Sequence, residues 1–244
     1  MTKLSKSAAA APALTDLITQ PGRFFTALRT LPPSPARYLW VVALTGLIGG
    51  VAATILARNT LSAQSTLLSG ATGGVSISPV FLYGSTVFAG LFLTALIWLL
   101  MWGLGALGAG QAGRAAEVAG ATFLPSLIFS VVLLPIGALF APELNVAAPN
   151  LSGLSGAALQ RAIQAYSLKV QAVSAGQPVN AVTTYLGYAM YVWQAVLAFI
   201  GFRVLTGDQG KAIRGVLIPV AVFAVLGVAG VLISRSLASL TGAF

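Results

Sequence analysis

Glu117 stands three residues after Arg114, at the head of an apolar run that continues to Phe140. On a helix that spacing puts a carboxylate and a guanidinium on one face, close enough to pair. Two chemistries are open to such an acid. It can be a structural charge at a helix N-terminus, where the helix dipole favours an anion. It can also be an intramembrane proton or ion site, because an ionised carboxylate in lipid is costly unless paired. The other acids are scattered: Asp16, Glu143 after Pro142 in a turn, and Asp208, which is placed to cap a helix or pair with Lys211. Four separated acids form no paired-carboxylate or two-metal constellation. Histidine and cysteine are absent, which removes disulfides, thiol chemistry, soft metal ligands and the commonest general base. The residues therefore predict no catalytic group, no metal site and no cofactor, and a chain that is not an enzyme.

A second pattern occurs twice. Gly110-Gln111-Ala112-Gly113-Arg114-Ala115 and Gly207-Asp208-Gln209-Gly210-Lys211-Ala212 both read Gly-x-x-Gly-basic-Ala. Each follows an aromatic-bearing segment (Trp98 and Trp102; Trp193 and Phe199) and precedes one with a proline in its first half (Pro125; Pro219). The glycines suit tight turns in either case. Two copies of one hairpin, related in the parallel sense, would produce this pattern, and so would coincidence in a chain rich in glycine and alanine. Neither loop has the Walker spacing or a preceding strand, so nucleotide binding is rejected. Arg114 or Lys211 beside backbone amides can meet a lipid phosphate, or can serve as topology-setting charge.

These groups sit among elements that water cannot stabilise. The chain is 57% hydrophobic and 7% charged, far below the roughly one-quarter charged composition of soluble domains. Its apolar runs are each about twenty residues, long enough to cross the roughly 30 Å hydrocarbon layer as helices. A β-barrel needs alternating polarity, whereas Ala89 to Leu100 is apolar on every side. The expected fold is an all-α integral membrane protein, a five-transmembrane-helix bundle with an N-terminal interfacial amphipathic helix. The spans are read at about 38–57, 79–104, 117–140, 182–205 and 213–234, with 1–37 a cytoplasmic segment. Pro125, Pro135 and Pro219 would kink their spans or open carbonyls along a path. Small residues such as Gly46, Gly49, Gly50 and Ala53 permit close helix approach, within the chain or between chains.

Outside the spans, Leu14, Leu17, Ile18, Pro21, Phe24, Phe25, Leu28 and Leu31 recur at three- and four-residue steps. They predict one amphipathic helix with Pro21 in a first turn, its apolar face either in the lipid interface or packed on the bundle, and Arg23 and Arg29 at headgroups. Asn59 to Ser78 reads as a Ser/Thr/Gly-rich connector. In the longer connector, Ala141 to Ala181, the residues Leu159, Ile163, Tyr166, Val170 and Val173 put one apolar seam on a helix that repacks or lies on the surface, or serves dimerisation. The 13 basic residues exceed the 4 acidic ones by nine, without the dense basic run and interleaved aromatics that nucleic acid would call for. With the N-terminus inside, the cytoplasmic side holds Lys3, Lys6, Arg23, Arg29, Arg37, Arg114, Arg203, Lys211 and Arg214; Arg58, Arg161, Lys169 and Arg235 lie outside. This asymmetry predicts N-in, C-out. Were the host a eukaryote, Asn150-Leu151-Ser152 would be a glycosylation acceptor.

Three segments resemble a known family, the Yip domain (Ypt/Rab-interacting) membrane proteins in their bacterial form. They are Leu17-Ile18-Thr19-Gln20-Pro21-Gly22-Arg23-Phe24-Phe25 near the first span, the run Arg114 to Pro125 into a proline-bearing third helix, and Trp193 followed by Gly207 to Arg214. The resemblance covers nearly the whole chain. It implies five helices, a cytosolic N-terminus and no known catalytic activity. Of the Asp-Leu-Tyr-Gly-Pro-like motif of eukaryotic members only Leu82-Tyr83-Gly84 is present, inside a span, so small-GTPase binding is not carried over.

Together these readings predict a noncatalytic organiser, adaptor or assembly partner in a membrane, expected to be a bacterial cytoplasmic membrane. Its contact residues for lipid, for a membrane or cytoplasmic protein, or for a second copy would be Arg23, Phe24, Phe25, Arg29, Arg114, Lys211 and Arg214. The alternative is a small transporter or channel subunit, with Glu117 as its intramembrane acid and the prolines along its path.

Overall fold

The computed structural model describes residues 11–71, 78–141, 143–151 and 153–242. Lys3, Lys6, Pro142 and Ser152 lie outside them. Among the described residues every regular element is a helix: α1 (Leu14–Thr19), α2 (Pro21–Arg29), α3 (Leu39–Leu56), α4 (Arg58–Ala71), α5 (Pro79–Ala109), α6 (Ala112–Ala121), α7 (Leu124–Phe140), α8 (Gly156–Ala175), α9 (Pro178–Thr206) and α10 (Gln209–Gly242). Among the described residues five stretches are long and apolar enough to cross a membrane: Leu39–Leu56, Val80–Ala109, Ala112–Phe140, Pro178–Thr206 and Gln209–Ile233. The protein is an all-α, multi-pass membrane protein.

The helices divide between two compact units. The first comprises Met1–Leu39, Ile97–Thr122 and Ala195–Phe244. Its N-terminal apolar stripe forms two short helices instead of one. Gln20, the residue before Pro21, is held out of the helical region (φ −144°, ψ 64°), as the clash with a following proline ring demands. Pro21 then opens α2, where its missing N–H leaves nothing unpaired. Leu17, Phe24, Phe25 and Leu28 are each 1% exposed or less. These four residues of the stripe are therefore interior packing of this unit, while Ile18 of α1 is exposed.

Glycines on the longer helices make the room. A Cβ on Gly201 of α9 would lie 2.8 Å from Cζ of Phe25, and one on Gly120 of α6 would lie 3.0 Å from Cβ of Tyr38. Phe24 meets Phe25 edge-on, centroids 5.1 Å apart, and lies 5.8 Å from the ring of Tyr38. Phe202 of α9 fills the space left by Gly105 of α5 and Gly215 of α10, and Gly108 approaches the backbone of Arg214 so closely that a Cβ would stand 2.5 Å from it. Burying one phenylalanine fully contributes roughly 1.5–3 kcal/mol.

The second unit comprises Trp40–Leu96 and Phe123–Gln194. Gly46 and Gly50 of α3 face Leu91, Val87 and Gly90 of α5, with Cβ-to-backbone distances of 2.8–2.9 Å. The small-residue seam thus brings two helices of one chain together, as small-xxx-small patterns do in lipid. Gly49 faces Ser130, and Gly137 faces Leu56, which seats α7 beside α3.

The Ser/Thr-rich connector is helical from Arg58 to Ala71. Its hydroxyls satisfy themselves on the preceding turn, as Ser65 and Thr66 on Ser62 O and Ser69 on Ser65 O. The helix is held by packing: Leu67 joins Leu151, Tyr166 and Val170 in a small core flanked by Ala63, Leu159 and Ile163. The seam on α8 that could have served dimerisation is used within the chain.

Candidate functional site

The site forms in the first unit, where α2 ends and α6 begins. Pro32, Pro33 and Pro35 stop α2 from continuing and turn the chain toward α3. The sharp stop leaves carbonyls at the end of α2 short of α-helical partners, although Leu28 O still accepts from Leu31 N–H at 3.1 Å. Arg114, in the first turns of α6, supplies donors to them. Its Nη1 donates to Leu28 O at 3.1 Å, and its Nη2 donates to Arg29 O at 3.2 Å and Leu31 O at 2.6 Å.

Arg114 also donates to Oε2 of Glu117 at 2.8 Å, one turn along α6. The other oxygen, Oε1, accepts from Nη1 of Arg37 at 2.6 Å and from the backbone N–H of Ser34 at 3.0 Å. Arg37 in turn donates from Nη2 to Pro32 O at 2.8 Å. Glu117 is 0% exposed, and both arginines are nearly so, at 15% and 12%. One buried carboxylate with both oxygens engaged thus fastens each end of the proline-rich turn to α6. Removing one partner of such a pair costs roughly 3–5 kcal/mol, because the other charge is left buried.

Helix α6 suits this role because it is buried all round: Ala115 to Ala121 are interior without interruption. Alanine and glycine let the proline-rich turn approach, and a Cβ on Gly113 would stand 3.0 Å from Pro33. Pro125 lacks the N–H that would bond Ala121 O, and α6 ends there, with Thr122 donating its N–H to Val118 O at 2.9 Å.

The two Gly-x-x-Gly-basic-Ala loops share one backbone. Gly110 and Gly207 have φ of +72° and +68° and stop α5 and α9 in the left-handed conformation that glycine adopts without steric penalty. Their N–H groups donate four residues back, to Ala106 O at 2.8 Å and Arg203 O at 3.0 Å. The next residue of each loop starts the following helix, since Ala115 N–H reaches Gln111 O and Ala212 N–H reaches Asp208 O. Ala115 and Ala212 are both fully buried.

The loops differ in their charges. Asp208 is a side-chain cap, its Oδ1 accepting from Gly210 N–H at 2.7 Å and Lys211 N–H at 3.1 Å. The Lys211 N–H bond is the largest influence that lowers the Asp208 carboxyl below its ordinary 3.8; lost hydration opposes it, and the Gly210 bond with nearby Lys211 and Arg214 adds to it. Lys211 is half-buried, and Arg214 is exposed, its Nε donating to Gly210 O at 3.4 Å.

The residues expected to make contacts therefore separate. Arg23, Arg29 and Arg214 are exposed and Lys211 partly so; Arg23 is steadied by a 2.7 Å bond to Gln20. Phe24 and Phe25, expected at lipid or a partner, are at 1% and 0% exposure and face inward. Arg114, read as a lipid-phosphate contact or a topology-setting charge and as the partner of Glu117, donates to carbonyls at and just beyond the end of α2 and pairs with Glu117. The residue that sequence reading missed is Arg37, counted only as a topology charge. Its signal was a lone arginine two residues after the third of three prolines, in a turn with carbonyls to satisfy.

No curated protein and no solved structure matches the chain. The family model of the Yip1 domain matches residues 15–232, from the second residue of α1 through most of α10. That match takes in α2, the proline-rich turn with Arg37, the Arg114–Glu117 pair and both glycine loops. The chain belongs to the Yip1 domain family, a non-enzymatic family of integral membrane proteins.

Proposed function

We propose that the protein is a noncatalytic membrane organiser or adaptor whose contact surface is carried by the first unit, on the cytoplasmic side of a bacterial membrane. The observation that supports this reading most is the Glu117 junction. It fastens the end of α2 onto the unit, in which Arg23, Arg29 and Arg214 are exposed and Lys211, in the second glycine loop, is partly so. A rigid frame with exposed guanidinium groups suits anionic lipid headgroups or an acidic protein segment. The excess of basic residues at the N-terminal side and in the two loops favours N-in, C-out.

The transport alternative rests on the repeated hairpin, the prolines and Glu117 as an intramembrane acid. Both carboxylate oxygens are committed to arginines and a backbone amide, which favours a fastening role. Its test is flux in liposomes: a solute or ion current that changes in Glu117→Gln would favour transport. The adaptor reading is tested by native mass spectrometry of the tagged protein extracted in nanodiscs. A stoichiometric protein or retained anionic lipid that is lost on charge reversal at Arg23, Arg29, Lys211 and Arg214 supports it. Retention that is indifferent to those four charges overturns it.

A further inference from the structure

Within the second unit, the Pro178 end of α9 and the last turns of α8 enclose an open cleft of about 620 Å³, completed by Thr60 at the start of α4. Its working groups are Gln171 and Ser174 from α8 and Thr184, Tyr185 and Tyr188 from α9, and no charged side chain lines it among the described residues. A phosphate or ammonium group would have no counter-charge there. Hydroxyls, a carboxamide and two tyrosine faces instead match a neutral, hydroxyl-rich ligand, whose vicinal hydroxyls both donate and accept.

The cleft has a fixed wall. Asn180 donates its amide to Ser174 O and, at 3.3 Å, to Ser174 Oγ, which ties α9 to α8. The Thr184 hydroxyl donates to Asn180 O at 2.7 Å, leaving its lone pairs to accept. Tyr185 and Tyr188 are 72% and 61% exposed, although they belong to a membrane-crossing helix. Tyrosine takes that position where headgroups meet hydrocarbon. One turn further on the same face, Val192 is 66% exposed, an apolar surface for an acyl chain.

We infer that this cleft holds the neutral polyhydroxyl headgroup of a membrane lipid, a glycosyl- or glycerol-type head, with its acyl chain along Tyr188 and Val192. The inference is independent of the basic surface proposed above, since the two involve different units and different headgroup chemistry, neutral in the cleft and anionic at the basic surface.

The test uses the full-length protein in nanodiscs containing equal amounts of a glucosyl diacylglycerol and phosphatidylglycerol, with retained lipid read by native mass spectrometry and methyl glucoside as the soluble probe. The wild type is expected to keep the glucosyl lipid in preference to phosphatidylglycerol. Gln171→Leu with Thr184→Val is expected to reduce that preference by roughly fivefold or more, the loss expected when hydrogen-bonding groups are removed. Both positions are exposed, and an unchanged melting temperature identifies a folded variant; Tyr188→Ala is the second variant should the first unfold. Equal retention of the two lipids by the wild type, or a preference that survives both variants, overturns the inference. Methyl glucoside adducts that vanish in the variant while the lipids stay equal would assign the cleft to a free sugar and overturn the lipid assignment.

Discussion

Arg37 and Glu117 are 80 positions apart in the chain, yet Nη1 of the arginine lies 2.6 Å from Oε1 of the glutamate. With Arg114 on the other oxygen, this contact turns the proline-rich segment after α2 into a fastened strap. It holds the C-terminal end of α2, the helix whose Phe24, Phe25 and Leu28 are buried, with Phe25 seated against Gly201.

Glu117→Gln is expected to lower the unfolding free energy by roughly 3–5 kcal/mol, since two nearly buried guanidinium groups lose their anion. Thermal unfolding in detergent or nanodiscs measures it. A double-mutant cycle with Arg37→Gln should be strongly non-additive: once Glu117 has been replaced, the second substitution costs little more.

Gly201→Ala is expected to destabilise by roughly 1–3 kcal/mol, because the new methyl meets a buried ring with nowhere to move. The present 2.8 Å spacing to Phe25 Cζ makes the loss specific to that ring. Phe25→Leu, itself destabilising, should recover part of the cost in the double variant, and a melting-temperature comparison of the four proteins checks the compensation.

Gly110→Ala and Gly207→Ala each force an L side chain into a left-handed conformation, at roughly 1–2 kcal/mol apiece. Asparagine at either position should cost less. Because the loops share backbone geometry and lie at different helix junctions, the two losses should add, as melting of the single and double variants will show.

Asp208 predicts an acid-side pH dependence. Its carboxyl is lowered from 3.8 in the folded protein, so the stability it contributes is complete above that value and is lost as pH falls through the lower folded value. Asp208→Asn, which keeps an oxygen for the cap but cannot titrate, should flatten melting temperature against pH in that range. An unchanged acid-side slope would contradict the assignment.

The membrane fold was legible because runs of about twenty apolar residues admit few other solutions in lipid. The Arg114–Glu117 pair was legible too, since three-residue spacing on one helix is local information. Arg37 was not, because its partner is distant in sequence and a cytoplasmic arginine already had a sufficient explanation in topology. Phe24 and Phe25 misled for a related reason: an amphipathic stripe specifies that one face is covered, and lipid and protein cover it equally well. What decided between them was the burial of both rings, with Gly201 making room for Phe25, a glycine whose purpose appears only when the opposing ring is in view. The helix at Arg58–Ala71 was hidden by hydroxyl residues that favour caps and turns, and it is held by Leu67 packing against residues far along the chain.

Through Arg37 and Arg114, Glu117 fastens α2 and the proline-rich turn to α6, and α1 is held by its packing on α2. Hydrogen–deuterium exchange of the nanodisc-embedded wild type and Glu117→Gln measures this directly. Selective loss of protection over residues 14–38, with α3, α5 and α9 still protected, is the predicted result. Equal protection of residues 14–38 in the two proteins would contradict it.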